Sequence, residues 1–111
     1  MPVMPLFRVA VTGDSMAPTL RPGEWWIAVH TRRARVGDIV VVDHPEEDLL
    51  AVKRLVRRTG RECWVEGDNP DRSRDSRHFG PLDTSRIVGR LLVRYAPLPP
   101  RRPARWLTTR S

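Results

Sequence analysis

The sequence of 111 residues contains one cysteine, one lysine and one tyrosine, and it has no long apolar run. A single cysteine, Cys63, excludes an internal disulfide framework and favours a reducing compartment. No stretch approaches the roughly 18 to 20 apolar residues that a membrane-spanning helix needs. The N-terminal residues lack the cationic start and apolar stretch of a signal peptide. We therefore expect a cytoplasmic protein without a membrane span.

Positive charge, in contrast, is abundant, because 20 basic residues face 13 acidic ones and give a formal net charge of +7. Such an excess is typical of proteins that bind nucleic acid or an anionic surface. Nucleic-acid modules of this kind also interleave basic residues with aromatic ones that stack on bases. Of the four tryptophans, only Trp106 has arginines close by. We therefore expect no nucleic-acid partner, and a non-enzymatic basic module stays open as an alternative.

The only lysine, Lys53, stands out because the other 19 basic residues are all arginine. Only lysine can lose its proton at an accessible pH and act as a base. In a strand, alternation places Lys53 on one face with Ala51 and Leu55. Apolar neighbours desolvate an ammonium group and lower its pKa. Lys53 is therefore a candidate base, the alternative being a lysine whose stem covers apolar surface while its charge stays in water.

The apolar residues recur with the short period of strands, and proline and glycine turns separate the runs. The predicted strands cover residues 7–12, 24–30, 38–43, 49–57, 62–66 and 86–95. This pattern favours a mainly β fold, a compact antiparallel sandwich or partly closed barrel with little helix. We expect one domain over residues 1–96 and an extended Pro/Arg-rich tail over residues 97–111, in which Trp106 and Leu107 are candidates to dock on the domain.

A possible nucleophile, Ser15, lies in the segment of residues 13–20 that follows the first predicted strand. Gly13 allows the backbone to turn sharply just before this serine and lets a substrate approach closely. The alternative is an ordinary turn in which Asp14 or Ser15 bonds local backbone groups. A serine hydroxyl needs an adjacent base, and a lysine with a lowered pKa can serve as one.

The other potentially reactive side chains, Cys63 and the three histidines His30, His44 and His78, are scattered along the chain. They show neither the spacing of metal ligands nor that of a thiol hydrolase. We therefore expect no metal and no cofactor.

Three segments, taken in order, resemble the type I signal peptidases. They are Ser-Met-x-Pro-Thr-Leu at residues 15–20, Lys-Arg at 53–54, and Gly-Asp-Asn at 67–69 followed by Ser-x-Asp-Ser-Arg-x-Phe-Gly-Pro at 73–81. The resemblance implies the β catalytic core of that family and a serine endopeptidase with a Ser-Lys dyad. Ser15 is then the nucleophile and Lys53 the general base.

The same resemblance implies roles for the residues around the dyad. The backbone N–H of Ser15 contributes to the oxyanion hole, whereas Gly13 stands where the family often has a hydroxyl donor. Ser73 orients the lysine, and Asp75 and Arg77 form a supporting charged pair. Met16 and Pro18 are expected to contact the substrate.

A finer resemblance concerns the substrate. Only 14 residues precede Ser15, whereas signal peptidases carry membrane-spanning segments there, so we expect a catalytic core without an anchor. The chain most resembles the short, Arg-rich maturation proteases of nickel-type superoxide dismutase, which implies leader removal from that precursor, with nickel belonging to the substrate. Signal-peptidase-like processing of other preproteins and an SOS-type self-cleaving peptidase stay open as alternatives.

Overall fold

The computed structural model describes residues 5–104, which form seven strands and three short helical turns. The strands are β1 Leu6–Ala10, β2 Trp25–His30, β3 Ile39–Asp43, β4 Leu50–Thr59, β5 Glu62–Glu66, β6 Leu82–Asp83 and β7 Ile87–Ala96. The helix α1 spans Ser76–Phe79, and 3-10 turns span Pro70–Arg72 and Thr84–Arg86. Six of the seven strands lie where the sequence predicts them, with ends that differ by no more than two residues.

The seven strands form one sheet in the order β1-β2-β7-β3-β4-β5-β6. Every neighbouring pair is antiparallel, and the sheet curls into a half-barrel. The predicted mainly β fold with little helix is therefore confirmed. The short elements β6 and α1 were not predicted.

The central strand β3 is buried on both faces of the sheet. Successive strand residues point to opposite faces, so Ile39 and Val41 pack in one apolar cluster while Val40 and Val42 pack in another. The neighbouring strand β4 follows the same alternation: Val52 contacts the first cluster, and Leu55 belongs to the second. Because β4 alternates in this way, Lys53 falls on the face of the second cluster, as the sequence predicts.

The long connection between β1 and β2 is held down by its own apolar residues. Leu20 is fully buried, and Met16 is only 2% exposed. At its base, the Val11 N–H donates to the Glu24 carbonyl over 2.9 Å, and the Gly23 N–H donates back to Val11 over 2.9 Å. The loop that carries Ser15 is therefore part of the packed fold.

The first part of the predicted tail lies back against the sheet. The backbones of Arg94 and Arg101 exchange hydrogen bonds of 2.6 and 3.2 Å, and Arg54 donates to the Ala104 carbonyl over 2.5 Å. Trp106 and Leu107, the candidates for docking, lie outside the described residues.

Candidate active site

One cavity, with a volume of about 510 Å³, has both Ser15 and Lys53 in its wall. Residues of β1, of the β1–β2 connection and of the start of β4 line it, and Gly13 and Met16 are among them. The structure thus brings together four residues that the sequence singles out, namely Gly13, Ser15, Met16 and Lys53. Pro18 is exposed and is not among the lining residues, so its contact with substrate stays a prediction.

The Lys53 ammonium group is removed from water and held in place. The residue is 5% exposed, and Nζ donates a hydrogen bond of 3.0 Å to Ser73 Oγ. Burial lowers the pKa of Lys53 below its ordinary value, and Arg77 lowers it further, although the Asp75 carboxylate raises it in part. Among residues 5–104 the hydrogen bond found for Nζ goes to Ser73 and not to Ser15; contacts of a base with its nucleophile often tighten only when substrate binds.

Ser73 connects Lys53 to a buried carboxylate. Ser73 Oγ accepts from Lys53 and donates to Asp75 Oδ2 over 2.6 Å. The Arg77 guanidinium donates two hydrogen bonds to the Asp75 carboxylate, from Nε to Oδ1 over 2.9 Å and from Nη2 to Oδ2 over 2.6 Å. The hydroxyl can donate only one proton, so its bond to Asp75 turns an acceptor lone pair toward the lysine. The predicted supporting residues therefore form one continuous chain of contacts.

The carboxylate at the centre of this chain stays ionised. Burial alone raises the pKa of Asp75, but hydrogen bonds from Arg77, from Ser73 and from the Gly67 N–H hold it well below its ordinary range. Asp75 also caps the N-terminus of α1, since Oδ1 accepts from the Arg77 N–H over 3.1 Å. The same residue thus begins the helix and fixes the hydroxyl that faces Lys53.

Gly67 allows two parts of the site to approach closely. A Cβ atom at this position would lie 2.3 Å from Ser73 Oγ and 2.5 Å from the Ser15 carbonyl oxygen. No real side chain fits such distances without displacing a neighbour. Gly67 is therefore required by packing, and sequence reasoning placed it in a motif without assigning it this role.

The loop that bears Ser15 is tied to the segment after Gly67. The Asn69 N–H donates to the Ser15 carbonyl over 2.9 Å, and Asn69 Nδ2 donates to the Asp14 carbonyl over 3.0 Å. Thr19 Oγ1 donates to Asp68 Oδ2 over 2.7 Å. These contacts fix the serine backbone relative to the network that orients the lysine.

Arg54, which sequence reasoning treated only as half of the Lys-Arg pair, anchors this connection. Its side chain is 2% exposed and forms a salt bridge of 2.6 Å with Asp68. It also donates to the Gly37 carbonyl over 2.8 Å. The signal that the sequence offered for this role was the position of Arg54 next to the candidate base. The burial of its side chain could not be predicted, because it depends on loops that are distant in sequence.

The remaining reactive side chains have structural contacts. His30 stacks on Phe7 with ring centres 4.1 Å apart, and His44 Nδ1 accepts the backbone N–H groups of Glu46 and Glu47. Burial raises the pKa of the Cys63 thiol, which makes it less reactive. Within residues 5–104, no group of three or more His, Cys, Asp or Glu side chains is arranged to hold a metal ion.

The curled sheet thus brings Ser15 and a buried lysine to one cavity, an arrangement that fits the serine peptidase class. A family described as Peptidase S24-like matches residues 4–92, and the chain belongs to this family. It is therefore a serine peptidase that acts on protein substrates.

Curated relatives share sequence over most of the chain. Mitochondrial inner membrane protease subunit 1 of Schizosaccharomyces pombe is 32% identical over 120 residues, covering 85% of this chain and 76% of the relative. Its namesake in Xenopus tropicalis is 30% identical over 115 residues, covering 81% and 69%. Mitochondrial ATP-independent inner membrane protease subunit 1a of Arabidopsis thaliana is 31% identical over 115 residues, covering 78% and 68%.

These relatives correct one prediction and leave another without support. The expected cytoplasmic location is wrong, because the relatives are named as proteases of the mitochondrial inner membrane. That expectation rested on the lone cysteine and on the lack of a signal peptide and of a long apolar run in the sequence, and none of these features excludes association with a membrane. None of these three relatives is named for nickel superoxide dismutase. No helix within residues 5–104 has the length and hydropathy of a membrane span.

Proposed function

We propose that the chain is a signal-peptidase-like endopeptidase in which Ser15 is the nucleophile and Lys53 the general base. The observation that carries this proposal is the position of the only lysine. It is buried in the cavity that contains Ser15, and the chain from Ser73 through Asp75 to Arg77 orients its amine. No arginine can replace it, because a guanidinium does not release its proton.

The reaction that these groups support proceeds in two stages. Neutral Lys53 takes the proton of Ser15 Oγ as the oxygen attacks the scissile carbonyl, and the Ser15 N–H stabilises the resulting oxyanion. The tetrahedral intermediate collapses as the carbon–nitrogen bond breaks, and Lys53 returns the proton to the leaving amine. In the second stage, Lys53 takes a proton from a water molecule as the water oxygen attacks the acyl carbonyl; the ester bond to Ser15 then breaks, and Lys53 returns the proton to Ser15 Oγ. Gly13 supplies no side-chain donor, so a second oxyanion donor is either missing or comes from another group.

The substrate class that fits this site is a precursor protein with an extended N-terminal leader. The cavity lies beside β1, an edge strand of the sheet, and an edge can bind an extended peptide through its backbone. The family resemblance favours small side chains just before the cleaved bond. The precursor of nickel superoxide dismutase is the finer candidate, and its support is the resemblance of the sequence to the Arg-rich maturation proteases of that enzyme.

The test measures leader removal by mass spectrometry with the purified full-length protein. Two precursors are compared: the nickel superoxide dismutase precursor and a secretory-type precursor with small residues before its cleavage site. The variants are Ser15→Ala and Lys53→Arg, and Ser85→Ala in the exposed Thr84–Arg86 turn is the matched serine control.

We expect Ser15→Ala to lose cleavage of whichever precursor is accepted, and Lys53→Arg to lose about 10²- to 10⁴-fold, the usual contribution of a general base. Ser85→Ala should cleave at the wild-type rate. Wild-type cleavage by either Ser15→Ala or Lys53→Arg would contradict the dyad. Cleavage of the secretory-type precursor alone would exclude the dismutase precursor and leave the dyad standing.

A further inference from the structure

A second cavity has a volume of about 550 Å³, and within the described part of the chain it shares no lining residue with the cavity that contains Ser15. Three separate parts of the chain meet there: the β2–β3 connection, the end of β4 and the middle of β7. Its lining residues are Arg33, Ala34, Arg35, Asp38, Arg58 and Arg90. Among residues 5–104, four guanidinium groups and a single carboxylate, that of Asp38, thus line one concave space.

Part of this arrangement is held by the backbone. Arg58 Nη1 donates to the carbonyl oxygens of Arg32, over 2.8 Å, and Ala34, over 3.2 Å. Asp38 Oδ2 accepts the Arg35 N–H over 2.8 Å, which closes the turn that precedes β3. The loop is therefore fixed against β4, and the arginine side chains that it carries stay near those of the two strands.

Positive charge exceeds negative charge among the residues that line this second cavity. None of the ion pairs found within residues 5–104 involves Arg33, Arg35, Arg58 or Arg90. Like charges repel when they are brought together, and a concave wall strengthens their field compared with a flat surface. A bound anion relieves this repulsion, whereas water does so only in part.

The type of cation indicates the type of anion. Guanidinium groups present planar pairs of N–H donors that match two oxygens of a phosphate group. An adjoining cavity of about 410 Å³ shares Asp38 and Arg90 and adds Arg102, so the cationic surface continues beyond the first space. Among residues 5–104, the lining of both cavities contains no aromatic side chain on which nucleic-acid bases would stack.

We propose that the cavity between the β2–β3 connection, β4 and β7 is a binding site for a phosphate group, presented by an anionic phospholipid headgroup or by free phosphate. Its arginines hold the phosphate oxygens, and the site lies apart from the peptidase cavity. The proposal does not depend on the identity of the dyad, because none of the described residues is common to the two cavities.

The experiment compares two double variants of the full-length protein with equal net charge. Arg33→Gln with Arg90→Gln removes two cavity arginines, and Arg61→Gln with Arg86→Gln removes two arginines that line none of the cavities described above. Binding is measured by sedimentation with phosphatidylglycerol–phosphatidylcholine vesicles, by calorimetry with inorganic phosphate, and by titration with a DNA duplex. Circular dichroism checks that both variants are folded.

The wild type and the Arg61/Arg86 variant should bind, and the Arg33/Arg90 variant should bind at least tenfold more weakly. Loss with vesicles alone would assign the phosphate to a lipid headgroup, and loss with inorganic phosphate alone would assign it to the free anion. An equal effect of the two variants would overturn the proposal, because net charge would then suffice. It would also fail if no probe binds, or if the DNA duplex is the only one bound.

Discussion

Replacing Gly67 with alanine tests whether the spacing between the serine loop and the lysine network controls catalysis. The added Cβ would lie 2.3 Å from Ser73 Oγ, 2.5 Å from Ser73 Cβ and 2.5 Å from the Ser15 carbonyl oxygen. Carbon atoms in ordinary contact lie about 3.5 to 4.0 Å apart. Because the Cβ is too close to both segments, relieving the two overlaps requires shifts of about 1 Å, which is the shortfall in these contacts.

Neither segment can move without losing a contact of the site. Rotation of Ser73 Oγ breaks its hydrogen bonds to Lys53 and Asp75, and displacement of the Ser15 backbone breaks the bond from the Asn69 N–H. A misplacement of about 1 Å costs roughly 10²-fold in rate. Forcing a methyl group into a packed region costs about 1 to 3 kcal/mol in the free energy of unfolding.

The assay measures kcat/KM for the precursor that the wild-type protein cleaves, together with thermal unfolding. Gly60→Ala is the matched control. Gly60 has a φ of 59° and nothing within 4 Å of an added Cβ, so alanine there costs about 1 to 2 kcal/mol through its left-handed backbone and leaves the site intact. We expect both variants to be less stable and only Gly67→Ala to lose activity. Wild-type activity in Gly67→Ala, or equal activity losses in both, would refute the reasoning.

Three further predictions concern the charged groups of the site. The cleavage rate should rise with pH as Lys53 loses its proton, and the midpoint should lie below the ordinary lysine pKa of about 10.4, because burial lowers the pKa of Lys53. A flat pH profile, measured where chemistry limits the rate, would exclude a lysine base. Lys53→Met should abolish cleavage and yet unfold at a higher denaturant concentration than the wild type at neutral pH, because in the wild type the unfolded chain binds the Lys53 proton more tightly than the folded one. This difference in stability should shrink as the pH rises toward about 10.4, the ordinary pKa of lysine. A variant that is less stable than the wild type at pH 7 would contradict this reasoning. Arg54→Met should lower the free energy of unfolding by about 3 to 5 kcal/mol, because Asp68 loses its buried partner. A loss below about 1 kcal/mol in chemical denaturation would show that Asp68 does not need this partner.

Much of the sheet was predictable because strands carry a local signal. Each of the six predicted strands alternates or forms a short apolar run between turn residues, so its position depends on its own residues. The two-residue strand β6 and the four-residue helix α1 are too short to show any period. The strand β6 forms because it pairs with β5, and α1 begins at its local Asp75 cap and is held to β5 by the hydrogen bond from the Val65 N–H to Ser76 Oγ.

The chemistry of the site was predictable to a similar extent. Lys53 could be singled out because it alone among the basic residues can act as a base, and alternation on its strand placed it beside apolar side chains. Ser73, Asp75 and Arg77 lie close together in the chain, so their grouping follows from the motif that resembles signal peptidases. The roles of these residues in catalysis stay predictions until the variants are measured.

Arg54 and Gly67 show where reasoning from the residues ends. By alternation Arg54 shares a strand face with Val52 and Val56, which is compatible with either solvent or burial. Its partner Asp68 and the carbonyls of Gly37 and Ala104 come from three distant segments, and only their approach makes the side chain 2% exposed. Gly67 likewise looks like a turn residue until Ser15 and Ser73 are seen within contact of it.

The residue types and their alternation along each strand dictated which groups can ionise, which faces are apolar and where the strands begin, because those properties belong to neighbours in the chain. The folding of the sheet decided which of these groups share a cavity, since Ser15 and Lys53 are separated by tens of residues. The same folding gathered four arginines from three elements around a second cavity. Distances between remote segments follow from the packing of the whole domain, and no local pattern encodes them.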